Sequence, residues 1–108
     1  MDGSLYEGNF VNDKFHGKGT LKSVDGREYN GEWKNGIIEG EGEMIYDMET
    51  KYVGHFSEGK RNGKGTYYFG DGRFWVGEWW NNIQNGKGEY HLKSGEVLEG
   101  IWRDGKKV

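Results

Sequence analysis

One short pattern recurs five times along this chain at a constant spacing of 23 residues. Each copy has a bulky apolar residue, a glycine two positions later and a second apolar residue two positions after that. The copies are YEGNF, YNGEW, YVGHF, WVGEW and LEGIW, which begin at Tyr6, Tyr29, Tyr52, Trp75 and Leu98. A fixed period of this length indicates a repeat protein, in which each copy is one unit that packs on its neighbours.

The glycines follow the same period. A second element begins eleven residues into each of the first four repeats, as GKGTL at Gly17, GEGEM at Gly40, GKGTY at Gly63 and GKGEY at Gly86. Twenty of the 21 glycines occupy recurring positions, and only Gly70 does not. Since chance would scatter them, the glycines have an architectural role.

Each repeat contains two short stretches of alternating character separated by turn residues. The turn signals are Asn35-Gly36, Asn62-Gly63 and Asn85-Gly86 within repeats, and Asp25-Gly26 and Asp71-Gly72 between them. We therefore predict that each repeat is one β-hairpin and that successive hairpins pair edge to edge. Because only 32% of the residues are hydrophobic, a thin, extended array is favoured over a thick globular core.

Strand alternation assigns side chains to faces. Repeat positions 1, 3 and 5 of the first strand and 12, 14, 16 and 18 of the second share one face, which we call the inner face. Thirteen of the 17 aromatic residues fall there, with glycines that leave gaps for the rings. We predict a partner-binding groove on this face, with seven contact residues: Tyr29, Trp33, Tyr52, Phe56, Trp75, Trp79 and Trp102.

The chain resembles the MORN repeat family. The 23-residue period, the Y-E-G-x-W/F opening and the G-x-G-T/E-x-Y/M second half carry the resemblance, and GEWKNG (Gly31–Gly36) and NGKGTYYFGDG (Asn62–Gly72) match best. It covers about four and a half repeats. The resemblance implies an all-β fold, an elongated and twisted single-layer antiparallel sheet with a groove along one face. It implies no catalytic residues, and the functions of such arrays differ widely.

Two stretches depart from the family pattern. Asp47-Met48-Glu49 replaces the glycine-containing turn found between other repeats, so we expect an irregular connection there. The fifth repeat stops at Val108 before its second strand, and Asp2-Gly3 has the phase of an inter-repeat turn. We therefore expect residues 1–108 to form a single array that is a fragment of a longer protein.

No pattern in the sequence indicates catalysis. GKGT lacks the spacing of a phosphate-binding loop and no helical pattern follows it. The histidines His16, His55 and His91 occupy different repeat positions, so we expect no metal site, and there is no cysteine. We expect a non-enzyme without a cofactor. The net charge of −3 disfavours nucleic-acid binding.

Cations cluster along one predicted edge of the array. We consider six of them as contacts for anionic phospholipid headgroups: Lys14, Lys18, Lys60, Arg61, Lys64 and Lys87. The alternative is ordinary solubilising charge, which the acidic second repeat favours. With no apolar run long enough to span a bilayer and no signal peptide, we expect a cytoplasmic protein, at most peripheral to a membrane or the cytoskeleton.

Four aromatic residues fall outside the main aromatic positions: Phe15, Tyr68, Phe74 and Trp80. Alternation places several apolar residues of the third to fifth repeats on the outer face, where the first two repeats are mostly polar. The predicted outer-face interface consists of Val53, Tyr68, Phe74, Val76, Trp80 and Ile101. An apolar patch on an otherwise polar face marks a candidate interface, and self-association as a homodimer is one interpretation of it. The alternative is local packing of a twisted sheet or contact with a further C-terminal segment.

The leading functional hypothesis is a non-catalytic scaffold module that binds an extended or helical segment of a protein partner in the aromatic groove. The second hypothesis is a peripheral module for anionic phospholipids such as phosphoinositides or phosphatidic acid. The third is a targeting or regulatory domain of a larger enzyme.

Overall fold

The computed structural model describes residues 3–108 and forms, over that range, one antiparallel sheet of ten strands. The strands are β1 (Leu5–Val11), β2 (Lys14–Lys22), β3 (Glu28–Lys34), β4 (Ile37–Ile45), β5 (Lys51–Ser57), β6 (Lys60–Tyr68), β7 (Phe74–Trp80), β8 (Ile83–His91), β9 (Val97–Arg103) and β10 (Lys106–Lys107). Their order in the sheet is their order in the chain, and the sheet is open. The molecule measures 46 × 24 × 19 Å, which confirms the elongated all-β prediction. Asp2 lies outside the described residues.

The hairpin turns lie at repeat positions 7 and 8. Both turn residues have positive φ, for example Asn35 and Gly36 at 50° and 84°, which is the two-residue geometry that matches strand twist. Asn12-Asp13, Glu58-Gly59, Asn81-Asn82 and Asp104-Gly105 form the equivalent turns. Of the three hairpin turns predicted, only Asn35-Gly36 is right. Asn62-Gly63 and Asn85-Gly86 lie inside strands β6 and β8.

A recurring bulge explains that error. Gly54 pairs with Gly65 and Phe56 pairs with Arg61, so two residue steps on β5 face four on β6. The two extra residues are taken up around Gly63, whose φ of 96° suits glycine far better than other residues. Asparagine and glycine are therefore bulge residues here, and the insertion of two residues leaves the inner and outer faces unchanged.

The connections between repeats use a second kind of turn. Gly26, Gly72 and Gly95 have φ values of 95° to 100°, and the Gly26 and Gly95 amides each donate to a carbonyl three residues earlier. The β4–β5 connection has no such glycine, as expected. There a carboxylate oxygen of Asp47 accepts the amides of Glu49 and Thr50 at 2.9 and 2.7 Å instead.

An unbroken row of glycines crosses the sheet on its inner face. The row runs Gly8, Gly19, Gly31, Gly42, Gly54, Gly65, Gly77, Gly88 and Gly100, each paired with the next across the strands. Tyrosine rings at the first repeat position lie over this row, and their hydroxyls donate to the backbone. Tyr29 and Tyr52 donate to the carbonyls of Glu32 and His55, each at 3.0 Å. The glycines thus make room for a one-sided aromatic core.

Candidate functional site

The seven rings predicted as groove contacts form the core of the protein. Their exposed fractions run from 0% for Tyr52 and Trp75 to 6% for Trp33, Trp79 and Trp102. Tyr29 and Phe56, at 1%, complete the set. Neighbouring rings meet edge to face, with centroids 5.1 to 5.3 Å apart for pairs such as Tyr52–Phe56 and Tyr29–Phe56. Because these rings are buried, a partner on this face would contact other side chains first. The prediction of direct contacts is therefore corrected, since the seven rings are core residues beneath the surface that a partner would touch.

A second layer of half-buried rings covers the core. Tyr46 stacks on Tyr67 with centroids 5.9 Å apart, and Phe69 stacks on Tyr90 at 5.7 Å. Phe15 stacks on Tyr6 at 3.7 Å near the other end of the sheet. Apart from Tyr6, which is at repeat position 1, these rings occupy repeat positions 10, 16 and 18, and they are the aromatic surface that a ligand can reach.

The sequence pattern places Phe15 outside the main aromatic positions, yet it lies on the inner face opposite Phe10. Its equivalents Ile38, Arg61 and Gln84 lie there too, each opposite the ring at position 5 of the same repeat. The signal was present in the sequence. Extending the alternation from Gly63 back by two residues places Arg61 on the inner face.

An open pocket of about 590 Å³ lies on the inner face around the third and fourth repeats. The residues that line it are Thr50, Arg61, Tyr67, Phe69, Trp79, Asn82, Ile83, Gln84, Asp104 and Gly105. Two half-buried rings and the edge of a core indole therefore form its apolar wall. Arg61 is the one cation among these described lining residues.

Arg61 lies inside a cluster of four aromatic rings. Its guanidinium carbon is 4.8 Å from the Trp79 centroid, 5.3 Å from Tyr67, 5.7 Å from Tyr46 and 5.9 Å from Tyr52. One terminal nitrogen donates to the Tyr46 hydroxyl at 3.0 Å, and the other donates to the Asn82 carbonyl at 2.8 Å. Such contacts are attractive because the face of each ring is electronegative.

Its position differs from that of the other five predicted headgroup contacts. Arg61 was grouped with edge cations as a headgroup contact, but its side chain is half-buried on the inner face and bound to the hairpin turn of the next repeat. Its contacts are therefore with the inner-face rings and the next hairpin turn, unlike those of the exposed lysines in the set.

The remaining five cations of that set are exposed and lie on the outer side of the strands. Lys18 pairs in register with Glu32, and Lys64 with Glu78, while Lys87 lies opposite Ile101. Lys14 and Lys60 flank hairpin turns. Lys18, Lys64 and Lys87 are therefore mid-strand residues rather than turn residues, and two of them face a carboxylate on the neighbouring strand.

The predicted outer-face interface is divided by charge. Tyr68 and Phe74 are adjacent, with centroids 5.7 Å apart, and Phe74 stacks on His91 at 4.3 Å. Val53 and Val76 flank Thr66 in the next row. Trp80 is 59% exposed and pairs with Ile83, two residues beyond the Lys64–Glu78 pair. Ile101 is half-exposed opposite Lys87. The six residues share a face. The charged row of Lys64, Glu78 and Lys87, in which Ile101 itself lies, separates Trp80 from the other four.

Burial changes the acidity of the inner tyrosines. It raises the pKa of Tyr29 to about 12 and raises the pKa of Tyr52 further. Burial also raises the pKa of Tyr46, against the opposing effect of the Arg61 charge. These hydroxyls remain protonated hydrogen-bond donors throughout the physiological range.

Residues 3–108 contain neither a candidate metal centre nor a candidate membrane-spanning helix. No set of three or more histidine, aspartate or glutamate side chains is arranged to hold a metal ion in that part of the chain. Within the same range, no helix is long and apolar enough to cross a membrane.

The fold and the inner face together define a class of protein, an open array of β-hairpin repeats with a one-sided aromatic core. The family model for the MORN repeat matches residues 6–26, 29–50, 52–72 and 75–97. The chain belongs to the MORN repeat family, whose repeats are generally non-catalytic binding modules.

Curated relatives match over a shorter stretch. The chain is similar to Alsin from Rattus norvegicus and from Homo sapiens, with 42% identity over 40 residues in both cases. That segment is 37% of this chain, and it spans about 2% of the length of each relative. The similarity concerns one part of a much longer protein.

Proposed function

We propose that this array is a non-catalytic protein-interaction module that binds an extended or helical segment of a partner along its inner face. The observation that carries this proposal is the aromatic pocket of about 590 Å³, which lies on a sheet face that nothing else in the described chain covers. Peptide-binding surfaces commonly combine apolar walls with a few polar anchors.

The composition of the pocket supports a peptide as the occupant. Tyr67 and Phe69 offer flat apolar contacts, and Gln84 and Asn82 add amide side chains to the lining. Aromatic anchors of this kind dominate the affinity of many protein interfaces. The buried rings beneath them hold the surface rigid, which lowers the entropy cost of binding.

The outer face gives weaker support for lipid binding. Lys18 and Lys64 each face a glutamate in register, so their charges are locally balanced. Arg61 points to the other face. Contact with anionic lipids through the six cations stays a prediction from the sequence, and no described contact favours it.

The test is a selection of random phage-displayed peptides on the purified chain, followed by affinity measurements on variants. Phe69→Ala removes a ring of the pocket wall, and Trp80→Ala removes an exposed outer-face ring as the matched control. The proposal requires selected peptides whose affinity falls at least about tenfold with Phe69→Ala and stays unchanged with Trp80→Ala. Failure to enrich any peptide, or loss of binding only with Trp80→Ala, would overturn it.

A further inference from the structure

We infer that Arg61 is an anion receptor within the groove and that the partner segment presents an aspartate or glutamate carboxylate to it. This inference rests on the proposed function and adds the chemistry of one contact. The Arg61 guanidinium carries a charge that the surrounding protein solvates only in part.

The Arg61 guanidinium has no counter-charge among the described residues. Among residues 3–108, no carboxylate oxygen lies within 4 Å of the Arg61 guanidinium, and its two hydrogen bonds go to the neutral Tyr46 hydroxyl and Asn82 carbonyl. The Nε atom is buried and finds no acceptor in that range. Of the five N–H donors of arginine, two make these bonds and one is the buried Nε–H, so one hydrogen on each terminal nitrogen remains for a ligand. Buried charge without a partner is costly, and a bound carboxylate would lower that cost.

A second arginine on the same face shows the contrast. Arg73 also lies over two rings, with its guanidinium carbon 5.2 Å from Phe69 and 6.0 Å from Tyr90. Its Nε, however, donates to the Asp71 carboxylate at 2.7 Å. Arg73 is therefore neutralised within its own turn, whereas Arg61 carries a free charge into the pocket.

The pocket selects among anions. Arg61 is its single cation in the described chain, and Asp104 also lines it. A phosphate with two negative charges, free or on a lipid, would meet one positive group and one negative group. A single carboxylate balances the one guanidinium, and the adjacent Tyr67 and Phe69 rings suit the apolar residues of a peptide. These features favour an acidic peptide over a phosphorylated ligand.

The fourth repeat indicates a conservative substitution for Arg61. Gln84 occupies the position in the fourth repeat that Arg61 occupies in the third, and its strand keeps the same register and bulge. Arg61→Gln is therefore compatible with the backbone. The matched control is Arg73→Gln, which removes an arginine that already has an internal partner.

The experiment is a double-mutant cycle on the peptides selected above. In each peptide, every Asp or Glu is changed singly to Asn or Gln, and affinities are measured for wild type, Arg61→Gln and Arg73→Gln. We expect one acidic peptide position whose neutralisation weakens binding to wild type at least about tenfold. The same peptide change should leave the affinity for Arg61→Gln unaltered and weaken binding to Arg73→Gln as much as to wild type. Urea unfolding of each variant confirms that the fold is retained.

The other outcomes are equally decisive. Peptides that need Phe69 but show no coupling to Arg61 would overturn the anion receptor and leave the proposed function standing. Peptides that do not need Phe69 would overturn both. A parallel titration uses inorganic phosphate and vesicles of phosphatidylcholine with phosphatidylinositol 4,5-bisphosphate, and Arg61-dependent binding of either probe would reject the carboxylate assignment.

Discussion

The phenol of Tyr52 occupies the space directly over the Cα atom of Gly65, so that a Cβ atom at residue 65 would overlap the ring. Gly65 lies in the middle of the glycine row, and its pairing partner Gly54 is equally crowded. The relationship shows why the repeat combines tyrosine and glycine. The glycine is required by the close approach of the ring and not by a left-handed backbone.

The first prediction follows from that overlap. Gly65→Ala should destabilise the protein by about 3 kcal/mol, since overpacking displaces a fully buried ring. The matched control is Gly59→Asn in the β5–β6 turn, where an added Cβ meets nothing within 4 Å and asparagine occupies the equivalent position as Asn82. Urea unfolding followed by tryptophan fluorescence measures both. Equal stability of the two variants would contradict the steric account.

The second prediction concerns Trp75, which replaces the tyrosine of the first three repeats. Its indole nitrogen is buried and finds no acceptor among the described residues, whereas the tyrosine hydroxyls of Tyr29 and Tyr52 each reach a backbone carbonyl. Trp75→Tyr should regain such a bond to the carbonyl of Glu78. We expect Trp75→Tyr to be more stable than Trp75→Phe by about 1 kcal/mol. Equal unfolding midpoints for the two variants would show that no bond forms.

Much of this fold was predictable because its determinants are local and repeat. The 23-residue period defined the hairpins, and alternation assigned Trp79 and Trp80 to opposite faces, as the structure shows. The hairpin turns were mostly missed because Asn62-Gly63 has the same composition in a bulge as in a turn. Only the pairing of Gly54 with Gly65 and Phe56 with Arg61 distinguishes the two.

The site was less predictable than the fold. The exposed fraction of a ring depends on which side chains cover it. Sequence alternation predicts the face on which a ring lies but not whether other rings cover it. Tyr52 and Tyr67 share a face and pair across strands, yet one is buried and the other lines the pocket. The role of Arg61 depends on four rings from four different strands or connections. These residues are far apart in the sequence, so no short motif predicts the cluster.

The third prediction is a loss of stability at alkaline pH. Burial raises the pKa of Tyr29 to about 12, above the value of about 10 expected in the unfolded chain. The folded state therefore holds this proton more tightly, and its contribution to stability is complete below about pH 10 and is lost as the pH rises toward 12. Urea unfolding at pH 8 and pH 11 should show a smaller loss for Tyr29→Phe than for wild type. An identical loss would assign the effect to other groups.

The fourth prediction contrasts two neighbouring tryptophans. Trp79 is 6% exposed and its indole nitrogen donates to the Gly65 carbonyl at 3.2 Å, while Trp80 is 59% exposed. Trp79→Ala should cost about 3 to 5 kcal/mol, and Trp80→Glu should change stability by no more than about 0.5 kcal/mol. Unfolding midpoints measure both. A comparable loss for Trp80→Glu would mean that the outer face has a larger structural role than its exposure indicates.

The fifth prediction uses the same Trp80→Glu variant to test self-association through the outer face. Trp80 and Ile83 form an exposed apolar pair at one hairpin end, and a buried carboxylate there would oppose a dimer interface. Light scattering at high protein concentration should give a higher mass for wild type than for Trp80→Glu. Ile37→Glu is the control, because Ile37 is similarly exposed at the equivalent end of the second repeat but pairs with Lys34. Equal masses for wild type and Trp80→Glu would remove this pair from any homodimer contact.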